Sequence, residues 1–161
     1  MLFLQFSAGK ERYALPASQI VEVIPAVRLK AIPATPEYVA GVMNYRGYPV
    51  PVLDLCALTL GTRCRKWFST RIILVKYPWP PGTEEAIVGL MAEQTTELVQ
   101  SDPSSFKPSG VYPEDAPFLG GVKGDRDGMV QQIEVKQLLP DHVREIIFRD
   151  KTEQGHGTGP G

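Results

Sequence analysis

Gly41-Val42-Met43-Asn44-Tyr45-Arg46-Gly47-Tyr48-Pro49-Val50-Pro51-Val52-Leu53-Asp54-Leu55 is the stretch on which the reading of the chain turns. Val42 and Met43 lead in, Asn44-Tyr45-Arg46-Gly47 turns, and Val50, Val52, Leu53 and Leu55 lead out. Asn and Gly tolerate left-handed backbone angles, so two apolar runs joined through them predict a β-hairpin. Arg46 then stands at its tip. Pro49 and Pro51 are two residues apart, so their missing N–H groups lie on one side of the outgoing strand. That side cannot donate to a ladder there, and the strand is expected at an edge or where pairing is interrupted.

Working outward, the hairpin recurs. Moving Gly121 back by 80 positions places it on Gly41, Val122 on Val42, Arg126 on Arg46 and Val130 on Val50. Ile133 falls on Leu53, Glu134 on Asp54, Val135 on Leu55 and Leu138 on Leu58, with no gap. The strands upstream also correspond, Leu2–Phe6 with Ile72–Tyr77 and Tyr13–Leu15 with Val88–Leu90. Two copies of one small β unit is the economical reading. Each copy, of about 70–80 residues with five short strands, fits a small barrel. The first unit is expected over about 1–69 and the second over about 70–150, with exchange of strands between them left open. A cleft is expected between the two. Short helical turns are expected at Pro16–Gln19, at Glu37–Ala40 and before Gly61, and 143–148 reads as a strand or a short helix. Pro33–Pro36 reads as an extended connection, Tyr77–Gly82 as a proline-rich turn and Ser101–Pro117 as a loop. Residues 151–161 are expected to be a disordered tail.

Composition agrees with an all-β chain. The 161 residues are 43% apolar and include 15 Gly and 15 Pro, which suits many turns. A chain of about 150 residues buries roughly 68–70% of its unfolded surface, enough for a substantial core. The net charge of -1, from 17 basic and 18 acidic residues, argues against nucleic acid as a partner. Thr62-Arg63-Cys64-Arg65-Lys66 reads as a solvated loop with clustered charge. Cys56 and Cys64 are too few and too far apart in sequence for a zinc site, and read as reduced thiols of a cytoplasmic protein. Leu2–Phe6 is too short for a signal peptide, and no apolar run approaches membrane-spanning length, so no direct membrane contact is expected.

The chemistry of an enzyme is hard to find here. His142 and His156 are the only histidines and have no catalytic partners nearby in sequence. No P-loop or dinucleotide fingerprint occurs, and no cofactor is expected. Gly124–Gly128 lacks the ligand spacing of a calcium loop and reads as a turn. Asp54 and Glu134 occupy equivalent places in the repeat, which suggests carboxylates accepting backbone N–H bonds where a strand enters a helical turn. A hydrolase built on them is the weaker alternative, as is a small β-barrel that binds nucleic acid or a small ligand. A protein-binding module remains. Arg46 is its first candidate, since arginine is enriched at the energetic centres of interfaces.

Tyr38-Val39-Ala40-Gly41-Val42-Met43-Asn44-Tyr45-Arg46-Gly47, followed by Val50-Pro51-Val52-Leu53-Asp54-Leu55, resembles the CheW-like family of chemotaxis coupling proteins. Tyr13-Ala14-Leu15-Pro16 and Val21-Glu22-Val23-Ile24 are similar to the family's opening, and the likeness covers roughly residues 1 to 148. The resemblance implies two SH3-like five-stranded barrels side by side and a cytoplasmic, non-enzymatic adaptor at membrane-associated receptor arrays. Its implied partners are the cytoplasmic tip of methyl-accepting chemoreceptors and the regulatory domain of a CheA-type histidine kinase. It also implies partner-binding roles for Asn44, Tyr45, Arg46 and Gly47 at the turn and for Ile20, Glu22 and Val23 beside the groove. Ala92-Glu93 and Gln94-Thr95-Thr96 depart from the family pattern, which more often has a Val-Asp pair and a hydrophobic strand there.

Overall fold

The computed structural model describes residues 1–78 and 86–147. The tail, Phe148 and the proline-rich turn from Trp79 onward lie outside them. The strands are β1 (Leu2–Ala8), β2 (Glu11–Pro16), β3 (Ile20–Pro25), β4 (Val39–Tyr45), β5 (Tyr48–Asp54), β6 (Arg71–Tyr77), β7 (Ala86–Ala92), β8 (Gln94–Gln100), β9 (Leu119–Asp125) and β10 (Gly128–Ile133). Helix α1 (Leu55–Leu60) follows β5, and 3-10 turns occupy Ala17–Gln19, Pro103–Ser105 and Val135–Gln137. Residues 141–147 form a second short helix, so the described part of the ambiguous C-terminal segment is helical.

The strands form two five-stranded sheets, ordered β8-β1-β2-β10-β9 and β3-β6-β7-β5-β4. Each sheet therefore takes a hairpin from one half of the chain and three strands from the other. β2 pairs parallel to β10 (Val130↔Arg12 to Gln132↔Ala14), and β7 pairs parallel to β5 (Val52↔Gly89 to Asp54↔Met91). The all-β fold of two five-stranded units with short helical turns matches the expectation from sequence.

Each sheet is rolled. β3 and β4 lie at opposite edges of the second sheet, yet Tyr45 Oη on β4 donates to Glu22 Oε2 on β3 at 2.6 Å. β8 and β9 are the edges of the first sheet, and Lys123 Nζ on β9 donates to Ser101 Oγ, one residue past β8, at 2.6 Å. A flat sheet of five strands spaced by about 4.8 Å would hold its edges some 19 Å apart, so only curling brings them together.

The proline reading is met in a particular way. β5 is an inner strand, paired with β4 along its length, including Asn44↔Pro49 and Val42↔Pro51. Its pairing with β7 begins only at Val52. In an antiparallel pair, alternate N–H groups point away from the partner. Pro49 and Pro51 occupy those positions, and the second ladder starts just past them.

The 80-residue offset is also visible in the hydrogen bonds. Asp54 N–H donates to the Tyr38 carbonyl at 2.7 Å, and Glu134 N–H to the Phe118 carbonyl at 2.8 Å. Lys30 and Val42 exchange two backbone bonds of 2.9 Å, and Lys107 and Val122 two of 2.8 Å, the valines at the same offset and the crossing lysines three positions short of it. Both bridges cover an edge strand that would otherwise template further pairing. They also explain the recurring glycine. A Cβ at Gly41 would stand 2.5 Å from the Lys30 carbonyl oxygen, and one at Gly121 would stand 3.0 Å from that of Lys107.

Local differences have local causes. Pro33–Pro36 turns rather than extends, with Ala34 at φ 63 and Thr35 Oγ1 donating to the Ile32 carbonyl at 2.8 Å. Val39 and Ala40 belong to β4 instead of a helical turn. The main core takes Leu4 and Phe6 of β1, Tyr13 and Leu15 of β2, Ile72 to Val75 of β6 and Ile133 of β10, so one apolar interior spans both sheets. β6 reads as an unbroken apolar run because Ile72, Ile73, Leu74 and Val75 are all fully buried.

Candidate functional site

The hairpin tip is a two-residue turn. Arg46 (φ 52) and Gly47 (φ 88) both take positive φ, the signature of a type I′ turn whose twist matches the flanking strands. Asn44 and Tyr45 belong to β4 instead of the turn itself. Asn44 nevertheless shapes it, because its Oδ1 accepts the Gly47 N–H at 2.8 Å. Glycine is at ease with such an angle, whereas Arg46 adopts it against the clash between its Cβ and the backbone, at a cost of roughly 1–2 kcal/mol.

Glu22 meets this tip from the opposite edge of the sheet. Its Oε2 accepts the Tyr45 hydroxyl at 2.6 Å and lies 3.6 Å from an Arg46 guanidinium nitrogen. The guanidinium also stands 5.1 Å from the Tyr45 ring centroid. The Tyr45 phenol holds its proton more tightly than usual, mainly because it donates to the Glu22 carboxylate and secondarily through desolvation, with Arg46 opposing. The two contacts differ in kind. The short phenol–carboxylate bond is charge-assisted and closes the sheet. The Arg46 side chain is 76% exposed and its ion pair is loose, so it contributes about 0–1 kcal/mol. Its donors remain free to face a partner.

The other sequence-nominated residues divide by strand parity. Ile20, Glu22 and Ile24 of β3 are half-buried, whereas Val21, Val23 and Pro25 are exposed. Ile20 packs on the core. Val23 faces solvent beside Val21, on an edge strand whose other side pairs with β6. Glu22, Tyr45 and Arg46 are thus joined by contact, Asn44 and Gly47 by the turn, and Val23 lies on the opposite face from Glu22.

Asp54 is a structural carboxylate, as the repeat suggested. It is buried, its Oδ1 accepts the Ala57 N–H of α1 at 3.0 Å, and its Oδ2 accepts the Cys64 N–H at 2.9 Å. Glu134 occupies the equivalent place but makes no side-chain capping bond. Its extra methylene carries the carboxylate past the donors, and Oε1 lies where a Cβ on Gly120 would approach within 3.0 Å.

The described residues also border an open cleft of about 850 Å³, on the second sheet and its loops, a place the sequence did not announce. Val27, Arg28, Leu29, Arg63, Lys66, Trp67 and Phe68 are among the residues that line it, with Asp54 and Cys64 in its wall. The basic run 62–66 is a loop, as expected. Its apolar continuation, Trp67 and the fully exposed Phe68, was the available signal. Two adjacent large aromatics directly after clustered charge are poor candidates for plain solvent.

Comparisons with known proteins agree with this architecture. A family model described as a CheW-like domain matches residues 2–143. The chain is 28% identical over 139 residues to the chemotaxis protein CheW of Helicobacter pylori, covering 85% of this chain and 80% of that one. It is 29% identical over 129 residues to the chemotaxis protein CheW of Bacillus subtilis, covering 80% and 72%. Among solved structures it is similar to the scaffolding protein TtCheW from Thermoanaerobacter tengcongensis, with a TM-score of 0.71, 29% identity and 82% of each chain covered. With the family match running through all ten strands, the chain belongs to the CheW-like domain family.

Proposed function

We propose that this protein is a non-enzymatic adaptor that couples methyl-accepting chemoreceptors to a CheA-type histidine kinase in chemosensory signal transduction, working in the cytoplasm at membrane-associated receptor arrays. The observation that carries the proposal is the Glu22–Tyr45–Arg46 cluster. It combines a sheet-closing bond with a highly exposed arginine on a rigid tip, next to the exposed apolar edge of Val21 and Val23. Family membership supplies the class of partner. The burial of Asp54 as a helix cap supports the absence of a catalytic role for it. Among the described residues no helix is long and apolar enough to cross a membrane.

The mechanism is differential binding. Receptor tip and kinase regulatory domain meet different faces, and a receptor rearrangement alters kinase activity only as far as those contacts differ between its states. Apolar groove residues supply most of the affinity, and Arg46 supplies orientation through charge-assisted hydrogen bonds. The test is a reconstituted array of receptor, kinase and this protein. Arg46→Ala should leave the circular dichroism spectrum and melting temperature within a degree or two of wild type, because the side chain is exposed and loosely paired. Stimulus control of the kinase should fall about tenfold or more, the loss of one interface arginine worth roughly 1.4 kcal/mol or above. Wild-type control by the variant would remove Arg46 from the site.

A further inference from the structure

Cys56 and Cys64 lie eight residues apart in sequence, yet their Sγ atoms stand 2.8 Å from each other. The carboxylate of Asp54 is the cause. It caps α1 through Ala57 N–H and takes the Cys64 N–H as well, so it folds the segment after Gly61 (φ 76) back over the first turn of the helix that carries Cys56. We propose that Cys56 and Cys64 form a reversible dithiol–disulfide couple, a modification site oxidised by peroxides. This proposal rests on the sulfur geometry and is independent of the adaptor reading.

The two sulfurs are not equivalent. Cys64 is 7% exposed and lines the cleft, whereas Cys56 is 1% exposed and its thiol donates to Glu93 Oε1 at 3.2 Å. Cys64 is therefore the sulfur a small oxidant reaches. Its thiolate attacks one oxygen of hydrogen peroxide, the O–O bond breaks, and a sulfenic acid and one water result once the leaving hydroxide takes the thiol's proton. Cys56, already at contact distance, attacks the Cys64 sulfur and its thiol proton leaves with the hydroxyl as a second water. The sum is two thiols plus one peroxide to one disulfide plus two waters. Both sulfurs are oxidised by one electron each, and the peroxide is reduced by two. Burial pushes the Cys56 thiol up to about 12 and raises that of Cys64 as well, so thiolate is scarce near neutrality and the reaction is slow.

A shared metal fits the same atoms less well. Asp54, Cys56 and Cys64 place one ligand atom each within 4.8 Å of the others. Two thiolates on one tetrahedral zinc, with Zn–S of about 2.3 Å, sit roughly 3.7 Å apart, and the Asp54 oxygens are engaged by N–H donors. The disulfide would tie α1 to the loop bearing Arg63, Lys66, Trp67 and Phe68, and would take the S–H away from Glu93.

The experiment uses the full chain, reduced, freed of reductant and treated with excess hydrogen peroxide before alkylation. The expected product is monomeric, lighter by two hydrogens, unreactive to alkylation and restored by dithiothreitol. Trypsin cuts after Arg63, between the two cysteines, so the linked peptides should separate only on reduction. Cys56→Ala, checked for fold by circular dichroism, should leave a Cys64 sulfenic acid that a dimedone probe captures. Two free thiols after prolonged peroxide, or sulfinic acids without a link, would overturn the proposal in the wild-type protein alone. So would stoichiometric zinc uptake by the reduced chain that shields both thiols.

Discussion

Arg46 holds two properties that usually conflict. It sits at φ 52, where a β-carbon is penalised, and its side chain is highly exposed with only a loose partner in Glu22. Asn-Gly is the preferred pair for this turn type, so Arg46→Asn should relieve backbone strain while deleting the guanidinium. Stability measured by denaturant should rise by about 0.5–1 kcal/mol, and receptor-dependent kinase control should fall as far as in Arg46→Ala. A drop in stability would mean that the guanidinium, not the backbone, governs this position. At this scale the turn was legible in advance, because Asn and Gly have few other uses between two apolar runs. The contact to Glu22 was not, since 23 residues separate Tyr45 from Glu22 and only sheet curling brings them together. Glu22 and Val23 fall on opposite faces of β3 because neighbours on a strand alternate, so the charged contact and the exposed apolar edge come from its two sides.

At the scale of elements, the recurring glycine and the crossing strand that demands it make a graded prediction. Gly41 has φ 145 and its absent Cβ would meet backbone at 2.5 Å, whereas at Gly121 the distance is 3.0 Å and the angle is unremarkable. Gly41→Ala should therefore cost on the order of 2–3 kcal/mol and Gly121→Ala about 1 kcal/mol, read from chemical unfolding of each. The second hairpin differs at its tip. Arg126 and Asp127 avoid positive φ, and Gly128 takes it one position later at φ 120. Asp125 is clamped there by Arg12 of β2 at 2.6 and 2.9 Å. The Arg12 hydrogen bond, with the Asp127 N–H next, holds the Asp125 carboxyl down at about 2. A depressed carboxyl stabilises the fold above its ordinary value of 3.8 and loses that contribution as pH falls through about 2. Thermal melts of wild type and Arg12→Gln should therefore converge over that interval, and a gap that persists below it would place the clamp's effect elsewhere. Sequence offset revealed the hairpin's recurrence, but the clamp escaped it because Arg12 has no counterpart in the repeat.

For the whole molecule, the decisive fact is which hairpin joins which sheet. β1 and β2 pair with β8 and β10, and β6 and β7 pair with β3 and β5. Repeat periodicity cannot distinguish this exchange from two self-contained units. Equivalent strands carry equivalent apolar faces, and either partner satisfies the same ladder. What separates the arrangements is the wiring of the folded chain, and it has a thermodynamic consequence. Residues 1–69 alone hold β3, β4 and β5 without the β6–β7 hairpin that joins them, so the core around Ile72, Ile73, Leu74 and Val75 is missing. Residues 70–161 alone lack β1 and β2, which carry Leu4, Phe6, Tyr13 and Leu15 of the same core. Each half made separately should remain unfolded by circular dichroism and by the poor dispersion of its amide resonances. Mixed in equal amounts, the halves should recover the β spectrum and a cooperative melt, at a midpoint below that of the intact chain because association now carries a translational entropy cost. A half that folds by itself, with a cooperative transition of its own, would show that the exchanged hairpins are dispensable and that each unit closes without its neighbour.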